Sequence, residues 1–85
     1  MLKKLVGALD LPREVTMDLP LITVTGSEQV SVENFKGVIE YSEQRVRINT
    51  QCGVLKIVGR GLTLKQLTSE NILVTGSIMG LEYLM

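Results

Sequence analysis

Apolar and polar residues trade places with a period of two along most of this 85-residue chain. Leu21-Ile22-Thr23-Val24-Thr25 sets Ile22 and Val24 on one side and two threonines on the other. Val30-Ser31-Val32-Glu33 and Gly37-Val38-Ile39-Glu40-Tyr41 follow. The clearest case is Arg45-Val46-Arg47-Ile48-Asn49, which predicts Val46 and Ile48 buried and both arginines in solvent. Val54 to Val58, Leu62 to Lys65, Ile72 to Thr75 and Leu81 to Tyr83 read as further strands. Period-two alternation marks strands with one face in a core and one in water.

The joints carry turn residues at short intervals: Asn34 to Gly37, Ser42 to Gln44, Thr50 to Gly53, Gly59-Arg60-Gly61 and Thr68 to Asn71. Links this short cannot make parallel crossovers. The pattern therefore predicts an all-β fold, a small antiparallel meander or roll of about eight short strands. A small β-solenoid is the alternative. Ile22-Thr23-Val24-Thr25-Gly26-Ser27 recurs as Ile72-Leu73-Val74-Thr75-Gly76-Ser77, and Ile57-Val58-Gly59 is a weaker echo. The meander is preferred because solenoid repeats hold a fixed period and these do not.

Residues 1–20 have a different texture, so the chain reads as a single domain overall, made of an N-terminal helix and linker (1–20) and a β domain (21–85). Leu2, Leu5, Val6 and Leu9 fall at i, i+3, i+4 and i+7, one face of a helix. A helix over residues 1–9 is too short to stand alone in water and must dock through that face. Pro12 opens a helical turn and Pro20 sends the chain out extended.

Composition narrows the function. Lys+Arg and Asp+Glu are 9 each, so the formal net charge is zero, which argues against general nucleic-acid binding. Hydrophobic residues are 45 % and mean hydropathy is +0.26, apolar for a small soluble protein. With no His, the usual general base and commonest metal ligand are missing. One Cys permits neither an internal disulfide nor a Cys-based zinc site, and an unstapled chain suits a reducing, cytoplasmic setting. No apolar run approaches the ~20 residues a membrane helix needs. The apolar stretch from Leu5 meets Asp10 too soon for a signal peptide, so it is read as part of the mature protein.

No constellation carries catalysis. Cys52 has no base beside it and reads as a small turn residue. Glu40 and Glu43 are the closest acidic pair in a strand-turn context and read as a solvated face. Gly59-Arg60-Gly61 precedes a strand rather than a helix, so it reads as a hairpin turn and not a phosphate loop. No catalytic residue, metal site or cofactor is expected, and the protein is not expected to be an enzyme.

Two surfaces remain. From Arg45 to Lys65 there are five cations, Arg45, Arg47, Lys56, Arg60 and Lys65, and no acid. Lys56 and Lys65 could continue the arginine face across a sheet, toward an acidic partner or an anionic membrane surface. The plainer reading is a solvated face with Glu40 and Glu43 as cross-strand partners. The second surface is apolar. The strands at Val54–Val58 and Ile72–Thr75 carry apolar residues on both faces, and the C-terminus is apolar to Met85. Leu73, Leu81, Tyr83 and Leu84 are the candidate contacts of an oligomer.

These residues together resemble the YabP/YqfC family of endospore-forming bacteria, on its YqfC side. The similarity runs from about Leu11 to Tyr83. It rests on Leu11-Pro12-Arg13-Glu14-Val15, Asp18-Leu19-Pro20-Leu21-Ile22-Thr23, Val32-Glu33-Asn34-Phe35-Lys36-Gly37, Thr50-Gln51-Cys52-Gly53-Val54-Leu55-Lys56-Ile57-Val58-Gly59 and Gly76-Ser77-Ile78-Met79-Gly80-Leu81-Glu82-Tyr83. Phe35 departs from the pattern, which has His after the Glu-Asn pair, so no essential titrating role is expected there. The resemblance implies a role in spore formation, on the mother-cell side near the forespore outer membrane and the spore coat. It also implies pairing with a larger, YqfD-type membrane protein. It attaches no catalytic residue.

The expectation is thus a non-enzymatic assembly or adaptor protein that forms a homo-oligomer and docks on a membrane protein, with peripheral membrane association open to it. The alternative is a small-ligand or peptide-binding β module, its groove lined by Tyr41, Phe35 and Tyr83.

Overall fold

The first four alternating segments fold as read. In the computed structural model, which describes residues 19–85, they are β1 (Leu21–Thr25), β2 (Gln29–Glu33), β3 (Gly37–Tyr41) and β4 (Arg45–Thr50). The later segments differ from expectation. Two strands take the place of four, β5 (Gly53–Leu67) and β6 (Asn71–Leu84), so the sheet has six strands and not eight. The expected helix over residues 1–9 and the turn at Pro12 lie outside the described residues.

Glycine misled the sequence reading at these two places. Gly59-Arg60-Gly61 is not a hairpin turn, and Gly76 does not end a strand. Both sit where β5 and β6 cross most closely. A Cβ on Gly59 would run into the Ser77 carbonyl oxygen. One on Gly76, which has φ +136°, would lie 2.6 Å from the Gly61 carbonyl oxygen. Register shifts between Val58 and Gly59, between Arg60 and Thr63 and between Leu64 and Gln66 mark bulges in one continuous ladder.

The strand order is β1-β2-β6-β5-β4-β3, all antiparallel. Only β3 to β6 run as a meander. The solenoid is excluded by the antiparallel pairing. The repeated motif has another role: Ile22 and Ile72 both face Val32, and Val24 and Val74 both face Val30. Its two copies flank β2 in the same register.

Chain connectivity requires the sheet to fold on itself. Glu33 faces Asn71, whereas Gly37 lies in the row that ends, through Asn49 and Val54, at Leu84. A straight β6 would hold Asn71 and Leu84 roughly 43 Å apart at ~3.3 Å per residue. The link from Glu33 to Gly37 reaches at most about 14 Å. The long β5–β6 hairpin must therefore bend, and the longest dimension of the molecule is only 38 Å. The link is pinned to both halves: Asn34 N–H is donated to Glu70 O (3.0 Å) and Lys36 N–H to Asn49 O (2.7 Å).

Two half-sheets result, built on one scheme. The first has β1, β2, the start of β6 and the end of β5. The second has β3, β4, the start of β5 and the end of β6. Inner rows in the first are Ile22–Val32–Ile72–Leu67 and Val24–Val30–Val74–Leu64. In the second they are Val38–Ile48–Leu55–Tyr83 and Tyr41–Val46–Ile57–Leu81. The middle members of all four rows are fully buried in one cluster with Leu62. With no helix among the described residues to cover them, each half-sheet covers the other. The bend repeats too. Gly76 and Ile78 donate N–H to Glu28 O and Ser27 O, as Gly59 and Leu62 do to Gln44 O and Glu43 O.

Candidate interaction surface

The outer face of the second half-sheet is where the charges gather. Side chains in one cross-strand row share a face, and here the row reads Glu40, Arg47, Lys56, Glu82 from β3 to β6. Arg47 Nε donates to Glu40 Oε1 at 2.7 Å, and Arg45 Nη2 lies 3.2 Å from Oε2 of the same carboxylate. The Arg47 hydrogen bond, with help from the Arg45 charge, holds the Glu40 carboxyl below its ordinary pKa despite partial desolvation. One acid thus answers two arginines, and Glu82 stands beside Lys56. Val46 and Ile48, which alternate with the two arginines along β4, are buried, as that alternation requires.

The five cations do not form one stripe. Arg45, Arg47 and Lys56 lie on adjacent strands of this face. Arg60 is exposed at the bend, opposite Ser77. Lys65 lies in the other half-sheet, at the register shift between Leu64 and Gln66. Bending the hairpin parts the pair that a flat sheet would have aligned. Glu43 is exposed in the β3–β4 turn and accepts the Leu62 N–H through its main chain.

The candidate oligomer contacts fall into two groups. Leu73 and Leu84 are half-buried on the outer faces, Leu73 in the row with Ser31 and Leu84 in the row with Val54. Leu81 and Tyr83 end the two inner rows of the second half-sheet. Tyr83 packs on the core, and its phenol is pushed above its ordinary pKa, mainly by burial and further by nearby Cys52. Leu81 remains 36 % exposed. Cys52 itself sits in the two-residue β4–β5 connection, its N–H donated to Thr50 Oγ1 at 3.1 Å.

The expected groove aromatics are each engaged within the chain. Phe35 packs on the core along with Tyr83, and the Tyr41 hydroxyl is donated to Leu62 O at 3.2 Å. Among the described residues no three His, Cys, Asp or Glu side chains group to hold a metal ion. Nor is any helix long and apolar enough to cross a membrane.

Which strands lie at an edge was not legible in the sequence. Past the bend, β6 has β5 on one side and no strand on the other among the described residues. Which of its groups face outward follows from alternation. Gly59 gives its N–H toward the β4 side, so Leu55 and Ile57 turn their main-chain groups to β4, and Lys56 and Val58 turn theirs to β6. Glu82 and Gly80 complete that ladder, which leaves the main-chain groups of Leu81 and Tyr83 facing out. Met79, the extra residue opposite the shift at Val58 and Gly59, is 63 % exposed. The signal was present in Ile78-Met79-Gly80-Leu81, where the two-residue alternation slips by one.

The YabP family profile matches residues 19–85 of the chain. The uncharacterized protein YqfC of Bacillus subtilis (strain 168) is 37 % identical over 79 residues, which cover 93 % of this chain and 85 % of the relative. No solved structure matches.

Proposed function

Because this chain belongs to the YabP family, we propose that it is a non-enzymatic assembly protein of spore formation. It associates with further copies of itself and docks, near the forespore outer membrane, on a YqfD-type membrane protein. The observation that carries this reading is the β6 edge, a run of outward main-chain groups flanked by exposed apolar side chains. Such an edge templates strand pairing unless it is defended, and here Glu82 is its one charge. The chain has no His, and its zero net charge offers little repulsion between copies.

Sedimentation at micromolar concentration tests the first half of the proposal. We expect species heavier than 9.4 kDa; that mass alone would remove self-association from the reading. Affinity capture of the tagged protein from sporulating cells tests the second half. The YqfD-type protein should be recovered with it, and the tagged protein should leave the membrane fraction when that partner is deleted. Unchanged membrane recovery in the deletion would sink the docking.

A further inference from the structure

We propose that two copies join edge to edge through β6, antiparallel and in the single register centred on Leu81. The inference rests on the self-association proposed above and names its surface. An isologous strand pair must be self-complementary, since each residue at a given distance from the axis meets the residue at the same distance beyond it. The outward main-chain groups of Leu81 and Tyr83 permit an axis at Leu81, at Glu82 or at Tyr83. An axis at Tyr83 sets Leu81 opposite Met85, beyond β6, and leaves a shorter strand pair. An axis at Glu82 sets the two carboxylates directly opposite each other, which is repulsive. An axis at Leu81 sets Glu82 opposite Gly80, Leu81 opposite Leu81, and Tyr83 beside Met79. The only charge on the edge then meets a residue with no side chain, and it keeps Lys56 of its own chain as a row neighbour.

This register also continues what the inner face leaves unfinished. The row Tyr41–Val46–Ile57–Leu81 is buried in the middle and open at Leu81. A second Leu81 extends it. The second half-sheets of the two copies become one continuous sheet with β3 at each outer edge. The corresponding overhang of β5 in the first half-sheet is less suited to this. It is interrupted by a register shift at Lys65, and a bulge with a lysine is a common guard against edge pairing.

The test uses the full chain. Leu81→Pro removes an outward N–H and no bond of the β5 ladder, as an edge position tolerates. It should sediment at 9.4 kDa where the parent runs at roughly twice that, with an unchanged far-ultraviolet spectrum. In case proline disturbs folding, Leu81→Cys and Leu67→Cys are made separately in a Cys52→Ser background and treated with a short bis-maleimide. Crosslinked dimer from the Leu81→Cys chain and none from the Leu67→Cys chain supports the proposal. A folded Leu81→Pro protein that still dimerises, or crosslinking through Leu67→Cys alone, overturns this register while leaving self-association intact. A parent that sediments only at 9.4 kDa overturns both.

Discussion

The first half-sheet stops at a β5 overhang broken by a bulge and marked by Lys65; the second stops at a β6 overhang that runs regularly from Gly80 to Leu84. Inside, the two are nearly interchangeable. Val30 and Val32 stand to Val74 and Ile72 as Val46 and Ile48 stand to Ile57 and Leu55. Outside they diverge. The outer row Leu21–Glu33–Asn71 of the first carries one charge, Glu33, whereas in the second Glu40 bridges Arg45 and Arg47. Burial holds the inner rows to one solution, because a slip of one residue would turn each core side chain to water. The outer faces and the edges are free of that demand and can specialise.

The most severe test of the inner equivalence is a buried charge. Val46→Asp and Val30→Asp should each unfold the domain. An unpaired carboxylate in an apolar core costs several kcal/mol, close to the whole stability of a domain this small. Arg45→Ser, on the outer face, should leave the fold intact. Urea melts of the three variants decide it. If only one of the two valine variants unfolds, the half-sheets do not share a single core.

The bend comes next. Gly59→Ala forces a methyl group against the Ser77 carbonyl and should cost about 3 kcal/mol or more, as severe backbone and packing conflicts do. Gly37→Ala meets nothing within 4 Å and should change stability by about 0.5 kcal/mol or less. Similar melting for both would mean that β5 and β6 need no close crossing.

A smaller effect should distinguish the edges. Lys65→Val strips the β5 overhang of its charge and should raise association a few-fold. Leu81→Lys charges the β6 overhang and should lower association by more. Sedimentation equilibrium reads both. A larger change from the Lys65 substitution would assign self-association to the first half-sheet.

How far the sequence disclosed this fold depended on distance along the chain. β1 and β3 were read to their bounds, and β2 and β4 to within one residue, because alternation is local and each strand carries its own. β5 and β6 were split because a glycine needed for a close crossing cannot be told from a glycine needed for a turn. The neighbours along β3 to β6 and the β1–β2 hairpin follow the expected meander, but the join of β2 to β6 was not legible. The second partner of β2 is β6, some forty residues on, and no local pattern near Val32 names Ile72. The surface followed the same rule. Glu40 as the partner of Arg45 and Arg47 lay within one hairpin and could be weighed in advance. The separation of Lys65 from the other cations depended on the bend and could not.

The charge cluster supplies the last and smallest effect, a difference in acid sensitivity. Glu40 ionises below its ordinary value of 4.5 in the folded protein, chiefly through the Arg47 hydrogen bond. A carboxylate whose folded pKa is depressed lends stability that is fully present above its unfolded pKa. That stability is lost as pH falls through the lower folded pKa. The wild-type protein should therefore weaken on acidification below about pH 4.5 in a way that Glu40→Gln does not, with the two curves drawing together at the acid end. Because the group is solvated, the gap should be small and should shrink in salt, as exposed ion pairs do. Urea midpoints of both proteins from pH 7 to pH 3, at low and high salt, measure it. A gap that is constant across that range, or that widens with salt, would show that Glu40 acts by packing and not by charge. The second half-sheet would then differ from the first in shape alone.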